Sequence, residues 1–134
     1  MTTVDGLELT VGTELPALEL PPISRGTLAL FAGASHDHNL VHIDLDVARA
    51  AGFDDVFAHG MLSMAYLGRL LTGWAPQDRL MSWTARFVAI TPVHGSPTCR
   101  GRVIEVGDGV ARVDLSVQLA DGTTTMTGEA VIAL

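Results

Sequence analysis

From Gly60 to about Thr72 apolar residues fall almost everywhere around a helical wheel. Met61, Leu62, Met64, Ala65, Leu67, Leu70 and Leu71 leave only a thin polar stripe. A helix apolar nearly all round is buried on most sides, and Gly73 and Pro76 predict its end. The period then changes. Val113, Leu115, Val117 and Leu119 alternate with Arg112, Asp114, Ser116 and Gln118, and Met81, Trp83, Ala85 and Phe87 fall on one face of another strand. Gly107-Asp108-Gly109 and Asp121-Gly122 supply hairpin turns. A last strand runs through Met126, Ala130 and Ile132. One apolar helix and at least four antiparallel strands predict an α+β fold with the sheet wrapped around the helix.

The first half is more broken. Ser24 caps a short helix carrying Leu28, Leu30 and Phe31, which should end near Gly33. Ser35 to Asn39 is rich in residues that bond their own backbone and favour loops. Asp44 or Asp46 caps a second helix through Val47, Ala48 and Ala51, stopped by Gly52, and Gly52 to His59 reads as a loop. Pro21-Pro22 marks a local turn. No repeat or linker interrupts the 134 residues, so a single domain over 1–134 is expected.

Composition narrows the function classes. Apolar residues make up 48% and charged residues 17%, a globular balance. The net charge of −7 argues against nucleic acid as a partner, which needs clustered cations. All eight basic residues are arginines, so Schiff-base and P-loop lysine chemistries are excluded. Cys99, the sole cysteine, is expected to be a small buried hydrophobe. The N-terminus lacks a signal-peptide pattern, and Met61 to Leu71 is far short of the ~20 residues that span a bilayer. A cytoplasmic protein without membrane insertion is the expectation.

The informative segment is His36-Asp37-His38-Asn39-Leu40-Val41-His42, which packs one carboxylate, one amide and three imidazoles into seven residues. Loops on a rigid scaffold are where chemistry concentrates. Seventeen residues after His42, His59-Gly60-Met61 opens the apolar helix. A helix N-terminus offers unpaired N–H groups and a partial positive charge, suited to a carbonyl oxygen that becomes negative during reaction. Spacing alone shows an acid/base cluster beside an anion-stabilising helix end. It does not choose the reaction. Imidazoles and a carboxylate at His36, Asp37, His38 and His42 also suit zinc or iron.

At these residues the chain resembles the MaoC-like (R)-specific enoyl-CoA hydratase family, nearest its bacterial (3R)-hydroxyacyl-ACP dehydratase subunits. The family's Asp-x-Asn-Pro-x-His stands here as Asp37-His38-Asn39-Leu40-Val41-His42, followed by His59-Gly60-Met61, Arg86-Phe87 and Pro92-Val93. The resemblance implies a hot-dog fold, with dimers whose clefts lie between subunits. It implies hydration of 2-enoyl thioesters, or the reverse dehydration of 3-hydroxyacyl thioesters, on acyl-CoA or acyl-carrier protein. It gives Asp37 and His42 the acid/base positions, Asn39 a supporting position, and Gly60 the N–H that polarises the thioester carbonyl. No metal and no cofactor are implied, and the partner is a second hot-dog subunit in a homodimer or heterodimer. Three positions depart from the family: Leu40 replaces a proline, His36 a common glycine, and Gly68 a serine found in some members.

Other readings compete. A hot-dog thioesterase would use a carboxylate near the helix end to activate water, and a partner subunit of a heteromeric hydratase would be non-enzymatic. His59 is expected to be structural, and His38 to face away from the chemistry. Tyr66, Trp74 and Trp83 are expected in core or interface, and Asp54-Asp55 as solvated loop charge. Arg69, Arg86, Arg100 and Arg102 are candidates for carrier phosphates.

Overall fold

The computed structural model describes residues 2–4 and 7–134, with side chains from residue 9 onward. Strands β1 (Thr2–Val4) and β2 (Leu7–Leu9) pair with each other. A short β3 (Leu18–Glu19) precedes helices α1 (Arg25–Ser35), α2 (Leu45–Ala50) and α3 (Gly60–Trp74). Strands β4 (Leu80–Phe87), β5 (Thr98–Gly107), β6 (Val110–Gln118) and β7 (Thr124–Ala133) follow. They form one antiparallel sheet in the order β3-β5-β6-β7-β4. The β5–β6 hairpin closes through Asp108 and Gly109, both at positive φ (54° and 78°), as a two-residue turn with matching twist demands.

The sheet's inner face carries Val103, Val113, Leu115, Val117, Met126, Ala130 and Ile132, none more than 2% exposed. Against it lie Leu67, Leu70 and Leu71 of α3, and Cys99 is buried in the same core. This is the helix-in-sheet arrangement of a hot-dog fold. A second, smaller core of Ile23, Leu28, Ala48, Val56, Ala58, Leu62 and Val93 joins α1 and α2 to the first turns of α3. It holds the loops around Asp37 and His59 in place.

Several details differ from the pattern-based reading. Helix α1 runs two residues past Gly33, because the left-handed turn that ends it falls at His36 (φ 60°). Helix α3 continues through Gly73 to Trp74, and the chain turns extended only at Ala75. It is not buried all round: Met61 is 55% exposed and Ala65 is exposed as well, on the side away from the sheet. On β4 the strict alternation fails. A bulge between Leu80 and Ser82 sets Leu80, Trp83 and Ala85 against the core and leaves Met81 exposed. Phe87, the last residue of β4, is half-exposed, with its ring beside Gly60 at the start of α3. The short strands β1, β2 and β3 carry too few residues for period two to register. Among the described residues no helix is long and apolar enough to cross a membrane.

Leu67 is fully buried between helix and sheet. Leu67→Ala should lower the unfolding free energy by about 3 kcal/mol, read from urea denaturation at unchanged m-value.

Candidate active site

The site begins where α1 stops. Ser35 donates its hydroxyl back to the Phe31 carbonyl (2.7 Å), and His36 turns left-handed. That conformation is natural for glycine and strained for histidine, so the substitution of the common glycine carries local strain. The turn aims Asp37 away from the helix. Its Oδ1 accepts the Asn39 N–H at 3.2 Å, and Asn39 Oδ1 accepts the Val41 N–H at 3.3 Å. These two side-chain caps lead into a single 3₁₀ turn at Leu40–His42, whose Leu40 carbonyl accepts from Ile43 and Asp44. Polar caps therefore order the loop that lacks the motif's proline. Asn39 acts inside this loop.

His42 is buried and its ring is fixed. Its Nδ1 lies 2.7 Å from the Phe57 carbonyl oxygen. A carbonyl only accepts, so Nδ1 carries the proton and the neutral ring presents a lone pair at Nε2. That Nε2 is 4.0 Å from Asp37 Oδ2. The distance exceeds a direct hydrogen bond and is one that a single bridging water could span at about 2.8 Å from each atom. The His42 side chain is 10% exposed and that of Asp37 49%, so the pair spans from core to surface.

Phe57 is itself held. Ala58 donates its N–H to the Thr91 carbonyl (2.8 Å), Val93 donates to the Val56 carbonyl (3.3 Å), and Phe57 bridges Pro92. The Pro92-Val93 segment thus clamps residues 56–58 and, through the Phe57 carbonyl, sets His42. The Phe57 ring also meets the His42 ring edge-on at 4.9 Å.

Gly60 opens α3 and lines a half-open cavity of about 300 Å³ with Phe57, Ser63, Phe87, Ile90 and Met126. A Cβ on Gly60 would stand 2.9 Å from the Phe87 ring, so any larger residue forces that ring to shift. Asp37 and His42 do not line that cavity. Phe57 is shared between it and the His42 ring. Gly68 has a similar cause: a Cβ there would meet Trp83 at 3.0 Å. The Trp83 indole crowds any side chain at this position.

The His36, Asp37, His38 and His42 set is not brought together. His36 and His38 are exposed, and the third member of the cluster is His59. Asp37, His42 and His59 each bring one donor atom within 4.8 Å of the others. His59 is 1% exposed, makes no side-chain cap to α3, and stacks on His42 at 3.9 Å. Its Nε2–H donates to the Asp37 carbonyl at 3.0 Å. Burial pushes its basicity below the ordinary imidazole value, against the smaller opposing pull of the Asp37 carbonyl. The link between His59 and Asp37 crosses 22 residues and has no local sequence signal beyond the His-Gly-Met match.

Away from the cluster, Asp55 is not merely solvated. It accepts both Arg25 terminal nitrogens, at 2.9 and 2.7 Å, tying α1 to the loop before α3. Arg112 pairs with Glu105 and Glu129, and Arg69 lies over Tyr66 at 5.9 Å. Burial pushes the Cys99 thiol up to about 11, which suits a core residue and not a nucleophile.

A family model described as "MaoC like domain" matches residues 8–127. Nodulation protein N of Rhizobium meliloti is 31% identical over 100 residues, covering 70% of this chain and 62% of that protein. The 3-hydroxyacyl-thioester dehydratase Z of Mycobacterium tuberculosis is 32% identical over 68 residues, 51% of this chain and 45% of that protein. The chain thus aligns with less than two thirds of the length of these curated relatives. Among solved structures, R-hydratase PhaJ1 from Pseudomonas aeruginosa superposes with TM-score 0.83 at 28% identity, covering 94% of this chain and 83% of that one. A chain of the ChsH1-ChsH2 complex from Mycobacterium tuberculosis gives 0.84 at 26%, covering 95% and 99%.

Two outcomes test the local physics. His36→Gly should raise the melting temperature by a few degrees, through relief of about 1 kcal/mol of left-handed strain. His59 has a folded-state pKa below its unfolded value of 6.5, so the unfolded chain binds more protons in that window. Its contribution to stability is complete above that value and fades as pH falls through the folded one. The melting temperature of the wild type should therefore drop more than that of His59→Gln between about pH 7.5 and about pH 5.

Proposed function

The chain belongs to the MaoC-like domain family, and from that premise we propose that it is an (R)-specific hydro-lyase. It adds water to 2-enoyl thioesters, or removes it from 3-hydroxyacyl thioesters, carried on CoA or acyl-carrier protein in lipid or steroid metabolism. The observation that carries the reading is the Asp37–His42 pair: a carboxylate oxygen 4.0 Å from an imidazole nitrogen whose lone pair is exposed by the Phe57 bond.

In the hydration direction one water sits between Asp37 Oδ2 and His42 Nε2. One of these groups takes its proton as the water oxygen bonds to the β-carbon. Electron density moves from the double bond toward the thioester carbonyl, and the Gly60 N–H at the start of α3 stabilises the resulting enolate oxygen. A proton returned from the pair to the α-carbon completes the addition, so water is added across the double bond with no net proton change. The proton transfers of this scheme need no metal or organic cofactor. The exposed apolar rim of Met61, Phe87, Val88 and Ile90 beside the Gly60 cavity supports a second hot-dog subunit, identical or homologous, covering that edge.

Asp37→Asn and His42→Ala should each lower kcat on a short 2-enoyl-CoA by about a thousandfold with melting temperature changed by only a few degrees. Gly60→Ala should also depress turnover, since its Cβ displaces the Phe87 ring. Near-normal turnover in both acid/base variants contradicts the assignment.

A further inference from the structure

His59 is an expensive choice for a core position. It is 1% exposed, lies at the N-cap of α3, and yet caps nothing there. Its Nε2–H goes to the Asp37 carbonyl (3.0 Å), so in the neutral ring Nδ1 is an acceptor. That Nδ1 is buried with no hydrogen-bond partner among the described residues. A buried unpaired acceptor carries a desolvation penalty that an apolar residue of the same volume would avoid. The compensating feature is where the ring sits. His42 stacks on it at 3.9 Å and 24°, and the edge of Phe31 meets it at 4.9 Å. One side chain therefore touches both members of the acid/base pair: the backbone of Asp37 through a hydrogen bond and the ring of His42 through its face.

We propose that His59 is the positioning residue of this site, its Nε2–H and its ring face together fixing the separation of the Asp37 carboxylate and His42 Nε2. The inference rests on the reading that Asp37 and His42 carry the chemistry. His59 acts through them and does not touch the reacting atoms. Without its donor, the Asp37 peptide loses its tether to α3. Among the described residues the half-exposed carboxylate accepts only the Asn39 N–H, and the Asp37 peptide keeps only a long N–H bond to Ser35 Oγ (3.3 Å), so the carboxylate is free to drift. Misplacement by about 1 Å is enough to lower turnover about a hundredfold. Among the described residues the titratable groups that act on His59 are Asp37 from the loop and His42 from the 3₁₀ turn, and the uncharged Phe31 meets it from α1.

The discriminating variants are His59→Gln, His59→Asn and His59→Phe. The glutamine amide nitrogen reaches the Nε2 position, the asparagine amide stops short of it, and phenylalanine fills the ring's space without a donor. With a short 2-enoyl-CoA as substrate, Gln should keep kcat within about fivefold of wild type, while Asn and Phe lose about a hundredfold in kcat at near-constant KM. Parallel losses in all three, tracking their melting temperatures, overturn the proposal, as does full activity in Asn. Nitrogen-15 imidazole spectra of the wild type give a readout independent of turnover. They should show His59 as the Nε2–H tautomer with a slowly exchanging proton, and a shifted His42 ring in His59→Asn. An Nδ1–H tautomer at His59 overturns the inference alone. A wild type inactive on every enoyl thioester, with that Nε2–H spectrum intact, instead overturns the hydro-lyase reading on which the positioning role rests.

Discussion

The burial of one face of α3 in the curl of the sheet is the constraint from which the rest follows. Leu67, Leu70 and Leu71 drive the C-terminal part of the helix against β5 and β6, in a core where the sheet residues are almost wholly sequestered. Each of these side chains contributes on the order of 2 kcal/mol of burial free energy. The first turn behaves differently. Leu62 belongs to a separate, smaller core with Ile23, Leu28 and Val93, while Gly60 and Met61 remain exposed. A rigid rod thus ends in an accessible N-terminus, and the loops that carry polar chemistry are gathered at that end by the small core.

Around this end each group is placed by a different kind of force. The Phe57 carbonyl fixes the tautomer of His42, and Phe57 is fixed by main-chain bonds to the segment at Thr91–Val93. Side-chain caps at Asp37 and Asn39 order the loop between them. Close packing of the Phe87 ring favours a glycine at position 60, and packing against Trp83 favours one at position 68. At the three departures from the motif it resembles, the chain has side-chain caps flanking Leu40, the Trp83 indole beside Gly68, and a left-handed backbone at His36.

Much of this was legible in the residues themselves. The central helix, the β5–β6 and β6–β7 hairpins, the cap at Ser24 and the stop at Gly52 all follow from local patterns, because local sequence determines caps, turns and periodicity. The candidate pair was legible as well, through its spacing and its resemblance to a known motif. What stayed hidden depends on contacts far apart in sequence. The bulge at Met81 shifts the face of β4 only because β7 sets the register. His59 reads as an ordinary helix-start residue until the fold lays it across Asp37 and His42. Asp55 reads as free loop charge until α1 brings Arg25 to it. Half-exposure of Met61 was equally invisible, since a helical wheel cannot tell which side the sheet will leave open.

In the proposed reaction Asp37, His42 and the Gly60 N–H add water across a thioester-conjugated double bond. Incubating the purified protein with a short 2-enoyl-CoA in deuterium oxide and analysing the products tests this. A (3R)-3-hydroxyacyl-CoA with deuterium at the α-carbon and the thioester intact is the expected product. Release of free CoA with the double bond retained, or recovery of unchanged substrate, would contradict it.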